Sequence, residues 1–291
     1  AQVVVRRGNR QSCCRRHGAV GLMRATCILP LIGITAADIL KPRHRQEFET
    51  HGFLHLYSVV SPEMVQRCRR HFVRTLWSPN LKHRPRSLWG VVSRPGVYRS
   101  GTNRLFQLSH HTSARVRNKT WRLYGLTALG AGPWGDLVFD PLIMGVVREL
   151  IGRPIRTTTG LLFERGSQQA LHVDTWYGLG STVPNGMVGV WFALDDVDDE
   201  NGPLVYVPGS HRTFPVQNYT PSASRVRRLT LEGDSPREVA YSLAGQQLAK
   251  AQAFRPRRGS VGIWHERLLH GGRRIRDLNR TRLSVVMHYR F

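Results

Sequence analysis

The sequence predicts a mainly β chain of the α+β class: a jelly roll (a double-stranded β-helix, cupin-like) braced by N-terminal helices. Three observations carry this expectation. Two well-marked helix starts stand in the first half, the second half breaks into short β-type runs, and turn residues separate those runs. Several short strands with such punctuation argue for a sandwich or barrel, and helices ahead of them pack against its outside.

Ser61-Pro62-Glu63 opens the first helix. The hydroxyl caps free backbone N–H groups, Pro tolerates the first helical position, and the acid meets the positive end of the helix dipole. Met64, Val65, Cys68 and Phe72 then share one face, which core packing explains. Asp140-Pro141 opens the second helix, LIMGVVRELI, and Gly152 closes it. Strands are expected in RTTTGLLFE, ALHVDTWY, MVGVWFALDDV, PLVYVPG, RRLTLEG, SVGIWHE and TRLSVVMHYRF. Glu200-Asn201-Gly202-Pro203 and Pro208-Gly209-Ser210 supply turns, since Asn and Gly adopt positive φ cheaply. Residues 79–135, rich in Arg, Gly, Pro and Ser with weak periodicity, read as long loops or short helices, an insert or lid. The organisation is thus a basic tail over 1–40 and a single domain over 41–291.

Composition narrows the function. Hydrophobic residues make up 41% and charged residues 21%, ordinary for a globular chain of 291 residues, but the formal net charge is +24. Such a field attracts nucleic acid, anionic membrane or an acidic substrate. The excess is mostly Arg, scattered through the chain, so codon bias explains it equally well. Cys13, Cys14, Cys27 and Cys68 form no CxxC pair, which argues against a disulfide framework or zinc knuckle and for a reducing compartment. A cytoplasmic location is the default. No run approaches the ~18 apolar residues of a membrane span. The first acidic residue is Asp38, so the Arg-rich N-terminus resembles an organellar transit peptide. It reads equally as an unfolded tail or as translated sequence upstream of a start at Met23.

The chemistry begins at Leu171-His172-Val173-Asp174. On a strand, residues two apart face the same way, so this triplet would present an imidazole and a carboxylate side by side, as a metal ion requires. A third ligand must come from a strand distant in sequence, and His211, His265, His270 and His288 are the candidates. Two His and one carboxylate on one face, with three positions open, mark oxygen-activating non-haem Fe(II). Alone, an HxD triplet is also what a surface His–Asp hydrogen bond looks like.

Context decides more. LHVDTWYG, MVGVWFALDDVDDENGPLVYVPGSHR, GSVGIWHERLLHGG and RTRLSVVMHYR, in that order, resemble the phytanoyl-CoA dioxygenase family, and HGFLHLYSVVSPEMV resembles its N-terminal strand-helix entry. The likeness runs from about residue 46 to the C-terminus and is poor over 79–135. It implies an Fe(2+)-dependent dioxygenase with 2-oxoglutarate and O2 as co-substrates. His172, Asp174 and His270 would be the metal ligands, with His270 in the family's H-G step and His265 its rival. His211, in the P-G-S-H loop, reads as structural, and His288 as facing the cavity. Arg282 would hold the distal carboxylate of 2-oxoglutarate, with Arg280 the alternative; a guanidinium binds a carboxylate bidentately, as Lys cannot. Thr158, Gln169 and Trp191 are softer candidates for the co-substrate pocket. Gln168, Tyr177 and Trp176 are candidates for the cavity wall, and Gly272 replaces a Ser common in the family. Asp174 argues against halogenation, because a halide would need its place.

The expected reaction is hydroxylation of an unactivated C–H of a small organic substrate, anionic or acyl, with release of succinate and CO2. A nucleic-acid-directed dioxygenase is the first alternative, disfavoured by the W-x-A-L-D-D and N-G-P-L stretches. A jelly-roll binding protein without turnover is the second. Oligomeric state is not legible.

Overall fold

The computed structural model describes residues 39–76, 89–92, 104–107, 120–124, 132–177, 183–214 and 236–291. The basic N-terminus up to residue 38 and the expected strand RRLTLEG lie outside the described residues.

Helix α1 (Pro42–His51) ends at Gly52, whose φ of +72° closes it and turns the chain into strand β1 (Phe53–Leu56). Helix α2 (Pro62–His71) starts as its sequence dictates: Ser61 Oγ accepts from Met64 N at 3.2 Å, and Met64, Val65 and Cys68 are buried. It runs into a π-helical turn, Phe72–Leu76. Helices α3 (Pro133–Val138) and α4 (Pro141–Ile151) follow. Asp140 Oδ1 caps α4 by accepting from Leu142 N and Ile143 N at 2.9 and 3.2 Å, and Gly152 ends it at φ +70°.

The strands are β2 (Trp89–Val92), β3 (Arg104–Gln107), β4 (Thr120–Tyr124), β5 (Arg156–Phe163), β6 (Met187–Ala193), β7 (Leu204–Tyr206), β8 (Gln252–Phe254), β9 (Val261–His265), β10 (His270–Gly272) and β11 (Ser284–Arg290). They form two antiparallel sheets, one in the order β1-β9-β6-β11-β5-β4-β2-β3, the other β10-β7-β8. Two short helices, α5 (Ser210–Thr213) and α6 (Pro236–Gln246), lie between β7 and β8 in the chain.

Alternation along the central strands divides the core. Val190, Phe192, Val285, Met287 and Tyr289 pack with helix residues such as Val65 and Val147. Trp191, Ala193, Val286 and Trp264 face the other way, against Leu204, Tyr206 and Phe254 of the small sheet. Both faces of β6 are therefore covered, which is why all its residues are buried and its sequence reads as one apolar run.

Three expectations change. Within 79–135 the described stretches β2, β3 and β4 are strands that extend the large sheet, and Pro133 opens helix α3. ALHVDTWY is not a regular strand; only His172 bridges, and Asp174–Tyr177 is a 3-10 turn. The helices α1 and α6 and the three-residue strands β8 and β10 were not expected, their hydrophobic patterns being too short or too weak to declare a period.

Candidate metal centre

His172 and His270 face each other across a single antiparallel bridge, His172 N to His270 O and His270 N to His172 O, both 2.9 Å. The 3-10 turn beginning at Asp174 then brings the carboxylate beside them. The HxD pair thus converges through a tight turn rather than through strand alternation. All three side chains are buried, and one ligand atom from each lies within 4.8 Å of the others.

The rest of each ligand is fixed by the fold. His172 Nδ1 donates to Ala170 O at 2.7 Å and His270 Nδ1 donates to Leu268 O at 2.9 Å. A carbonyl can only accept, so both rings carry a proton on Nδ1, which leaves Nε2 as the atom a metal would take. Burial lowers the pKa of His270 further against the opposing pull of Asp174. Burial alone would raise that of Asp174, but His270, His288 and His172 together hold the carboxyl below its usual range. Neutral imidazoles beside an ionised carboxylate are the charge state that a divalent cation requires, so these residues fit a metal ion.

Asp174 has its own support. Its Oδ2 accepts from Trp264 Nε1 at 2.7 Å and lies 3.4 Å from His288 Nε2, while Oδ1 lies 3.6 Å from His270 Nε2. Trp264, Gly189 and His288 sit in one cross-strand row over β9, β6 and β11. A Cβ on Gly189 would come within 2.3–2.6 Å of the Trp264 indole, so only glycine lets that ring lie flat and reach the carboxylate. Sequence reasoning placed His288 toward the cavity and missed Trp264, which reads as core until its row partner is known.

His265 is not a ligand in this geometry. Its Nδ1 accepts from Arg267 N at 3.1 Å, leaving Nε2 to donate to Asn185 Oδ1 at 3.1 Å. His211 lies beside it, ring centroids 5.1 Å apart, and Nε2 meets Glu49 O at 3.2 Å, a structural role as expected.

A short way along the same interior lies Arg282. It is 2% exposed, Nη1 donates to Gly202 O at 2.9 Å, and buried Nε has no hydrogen-bond partner. No carboxylate lies within 4 Å of it among the described residues. Burial lowers its pKa to about 9, so the charge persists at neutral pH. The guanidinium is 5.3 Å from the Trp191 ring and 5.9 Å from that of Phe163. The acidic run after β6 positions it: Asp195 Oδ2 accepts from Thr281 Oγ1 at 2.7 Å and from Leu283 N at 2.8 Å. Asn201 Nδ2 adds a bond to Thr281 O at 3.1 Å. Arg280, by contrast, points outward and pairs with Asp198 at 2.8 Å.

The softer candidates divide. Trp191 is buried in the interior against Arg282. Gln169 Nε2 donates to Tyr177 Oη at 3.1 Å, Tyr177 bonds Tyr241 of α6, and the Tyr177 ring stands edge-on to His172 at 5.3 Å. These residues gather beside the metal ligands, not beside Arg282. Gln168 is held by Ile275 N, and Trp176 packs on Phe214 and Tyr241 as core. Thr158 lies on β5, its side chain outside the described residues. At Gly272 a Cβ would meet Ser167 Oγ at 2.4 Å, so no larger side chain fits there without movement.

Donor set and sequence likeness together define a non-haem iron dioxygenase of the class that uses 2-oxoglutarate. The sequence matches the phytanoyl-CoA dioxygenase (PhyH) family over residues 48–280, and the chain belongs to that family. It is 24% identical over 243 residues to the peroxisomal phytanoyl-CoA dioxygenase of Mus musculus, covering 75% of this chain and 67% of that protein. It is 27% identical over 233 residues to the ectoine dioxygenase of Nocardia farcinica, covering 77% and 69%. The structure resembles the non-haem α-ketoglutarate-dependent carbocyclase SnoK of nogalamycin biosynthesis (TM-score 0.56, 20% identity, 88% and 86% covered). It also resembles EctD from S. alaskensis with bound Fe (TM-score 0.57, 17% identity, 86% and 76% covered). Among the described residues no helix is long and apolar enough to cross a membrane.

Proposed function

We propose that His172, Asp174 and His270 hold Fe(II), that Arg282 holds the distal carboxylate of 2-oxoglutarate, and that the protein hydroxylates an unactivated C–H of a small organic substrate. Succinate and CO2 are the co-products. The observation that carries this reading is a buried guanidinium without an acid, placed in the same interior as a cation-ready donor set. A buried unpaired charge costs several kcal/mol, of order 3–5 when a partner is missing, so an anionic ligand is the natural complement. Along β6 the inward rows of Trp191 and Gly189 are two residues apart, about 7 Å, a spacing that a short dicarboxylate can bridge.

Bound iron would supply the oxidising chemistry, delivering one oxygen atom of O2 to the C–H bond and the other to succinate. The protein contributes placement and exclusion of water. Trp264 orients Asp174, while Trp191 and Phe163 wall the guanidinium from solvent. Gln169 and Tyr177, the latter 39% exposed, border the ligands on the open side, where substrate would enter. The names of the mouse and Nocardia relatives point to small-molecule substrates, which favours that class here. An anionic or acyl substrate suits the basic chain. Part of that basic excess is satisfied internally, however, since Arg255, Arg258 and Arg280 pair with Asp199, Asp196 and Asp198.

The test strips the protein with chelator, restores Fe(II) and 2-oxoglutarate, and follows succinate formed without substrate. Wild type should produce it slowly, and His172→Ala should not. Arg282→Ala should raise the 2-oxoglutarate requirement at least about tenfold, as expected for a lost charge-assisted pair. Succinate formation by His172→Ala at the wild-type rate would overturn the assignment.

A further inference from the structure

The helix-facing side of the large sheet carries a hollow that the proposed chemistry does not use. Its volume is about 530 Å³, and the C-terminal half of α2 with the π-helical turn after it forms one wall. Glu164 and Asp195, just past the ends of β5 and β6, and Thr281 and Leu283, just before β11, line the rest. Thr281 and Leu283 flank Arg282, whose side chain goes the other way, against Trp191 in the interior. The chain at this point therefore separates the hollow from the candidate metal centre. A volume of this size lies within the range of small-molecule sites, about 300–1,000 Å³.

The charges around the hollow do not balance. Arg69 is committed to the fold: it pairs with Asp195, and Nη1 donates to Leu194 O at 3.1 Å. Arg70 and Arg74 are exposed and pair with no carboxylate among the described residues. They stand four residues apart, where like charges on a helix repel. With Asp195 matched to Arg69, the lining carries these two arginines against the single carboxylate of Glu164. Val73, 64% exposed, lines the same hollow together with the buried Phe72 and Leu283. An apolar wall beside unpaired arginines favours a ligand that has both an anionic head and an apolar body. The π-helical turn that presents Val73 and Arg74 there is a rare element, and such turns frequently mark functional sites.

We infer that this hollow is a second ligand site, which takes a small amphipathic monoanion: a carboxylate on a short apolar chain. Arg70 and Arg74 hold the carboxylate, and binding relieves their mutual repulsion. Val73, Phe72 and Leu283 cover the chain. The site is separate from the interior and stands whether or not 2-oxoglutarate binds there.

The experiment titrates the full chain with octanoate by calorimetry, for wild type, Arg70→Glu, Arg74→Glu and Val73→Ser. Acetate and 1-octanol serve as probes that lack the chain or the charge. Wild type should bind one octanoate with a Kd below about 1 mM. Acetate and 1-octanol should each bind at least about tenfold more weakly. Either Arg→Glu variant should lose about tenfold or more, because a charge-assisted contact becomes a repulsion. Val73→Ser should lose about threefold, through the apolar surface removed. Melting temperatures without ligand should not fall, because neither guanidinium pairs with a carboxylate in the described fold and a glutamate at position 70 attracts Arg74. Saturating 2-oxoglutarate with Mn(II) should leave octanoate binding unchanged. No saturable binding, wild-type affinity in both arginine variants, or displacement of octanoate by 2-oxoglutarate would each overturn the inference.

Discussion

At one position between the sheets an anion, Asp174, is enclosed by imidazole rings and an indole N–H, and three donor atoms lie within 4.8 Å of one another. At the other a cation, Arg282, is enclosed by two aromatic rings and a carbonyl, with no acid within reach among the described residues. The imidazoles around Asp174 hold its carboxylate ionised, whereas a buried guanidinium without an acid costs folding free energy. The difference in sign between them is what the proposed Fe(II) and 2-oxoglutarate would complement: a cation at one place and an anion at the other.

The largest way to break this comparison is at its anionic side. Asp174→Ala should lower metal affinity by more than roughly 100-fold, because the charge of the ligand set is gone. Metal content after dialysis would read this directly. Trp264→Phe removes only the N–H that orients Asp174, so a loss of about 10–100-fold is expected from the same assay. Gly189→Ala should resemble it, by pushing the indole aside.

A smaller effect comes from the histidines that are not ligands. Burial, with His211 and Arg267 adding to it, lowers the pKa of His265 to about 3. Burial, then Arg212, lowers that of His211 to about 4. Both are neutral in the folded protein, while the unfolded chain protonates them near 6.5. Between about pH 6.5 and 3 the unfolded state therefore binds more protons, so stability is full above that window and falls as pH drops through it. Melting temperatures should decline from pH 7 to 4.5, and His265→Gln should flatten the decline. A decline as steep in His265→Gln as in wild type would remove His265 from the account.

The smallest effect sharpens the cationic side. Arg280→Ala breaks an exposed pair with Asp198 and should change 2-oxoglutarate affinity by less than about twofold. A tenfold loss there would exchange the roles of Arg280 and Arg282.

Much of this was legible in the sequence, and for physical reasons. Capping residues at Ser61 and Asp140 and the apolar runs of β6, β9 and β11 report their own local structure. The three candidate donors that cluster were legible because the donor types are few and the motifs ordered. What stayed hidden depends on pairing across the chain. His172 and Asp174 meet through a 3-10 turn instead of a strand, which no spacing rule distinguishes over so few residues. β10 is three residues long and exists because it pairs with β7. Trp264 supports Asp174 only because Gly189 lies opposite, a fact of register that neither residue announces. The strands β2–β4 carry no clear alternation and are held by the edge of β5.

His265 and His270 are five residues apart, and only one of them would touch the proposed metal. The most direct test is Fe(II) content after anaerobic loading and desalting of His270→Ala and His265→Ala, beside wild type. One iron per chain in wild type and in His265→Ala, with none retained by His270→Ala, is the predicted result. Retention by His270→Ala together with loss in His265→Ala would contradict it.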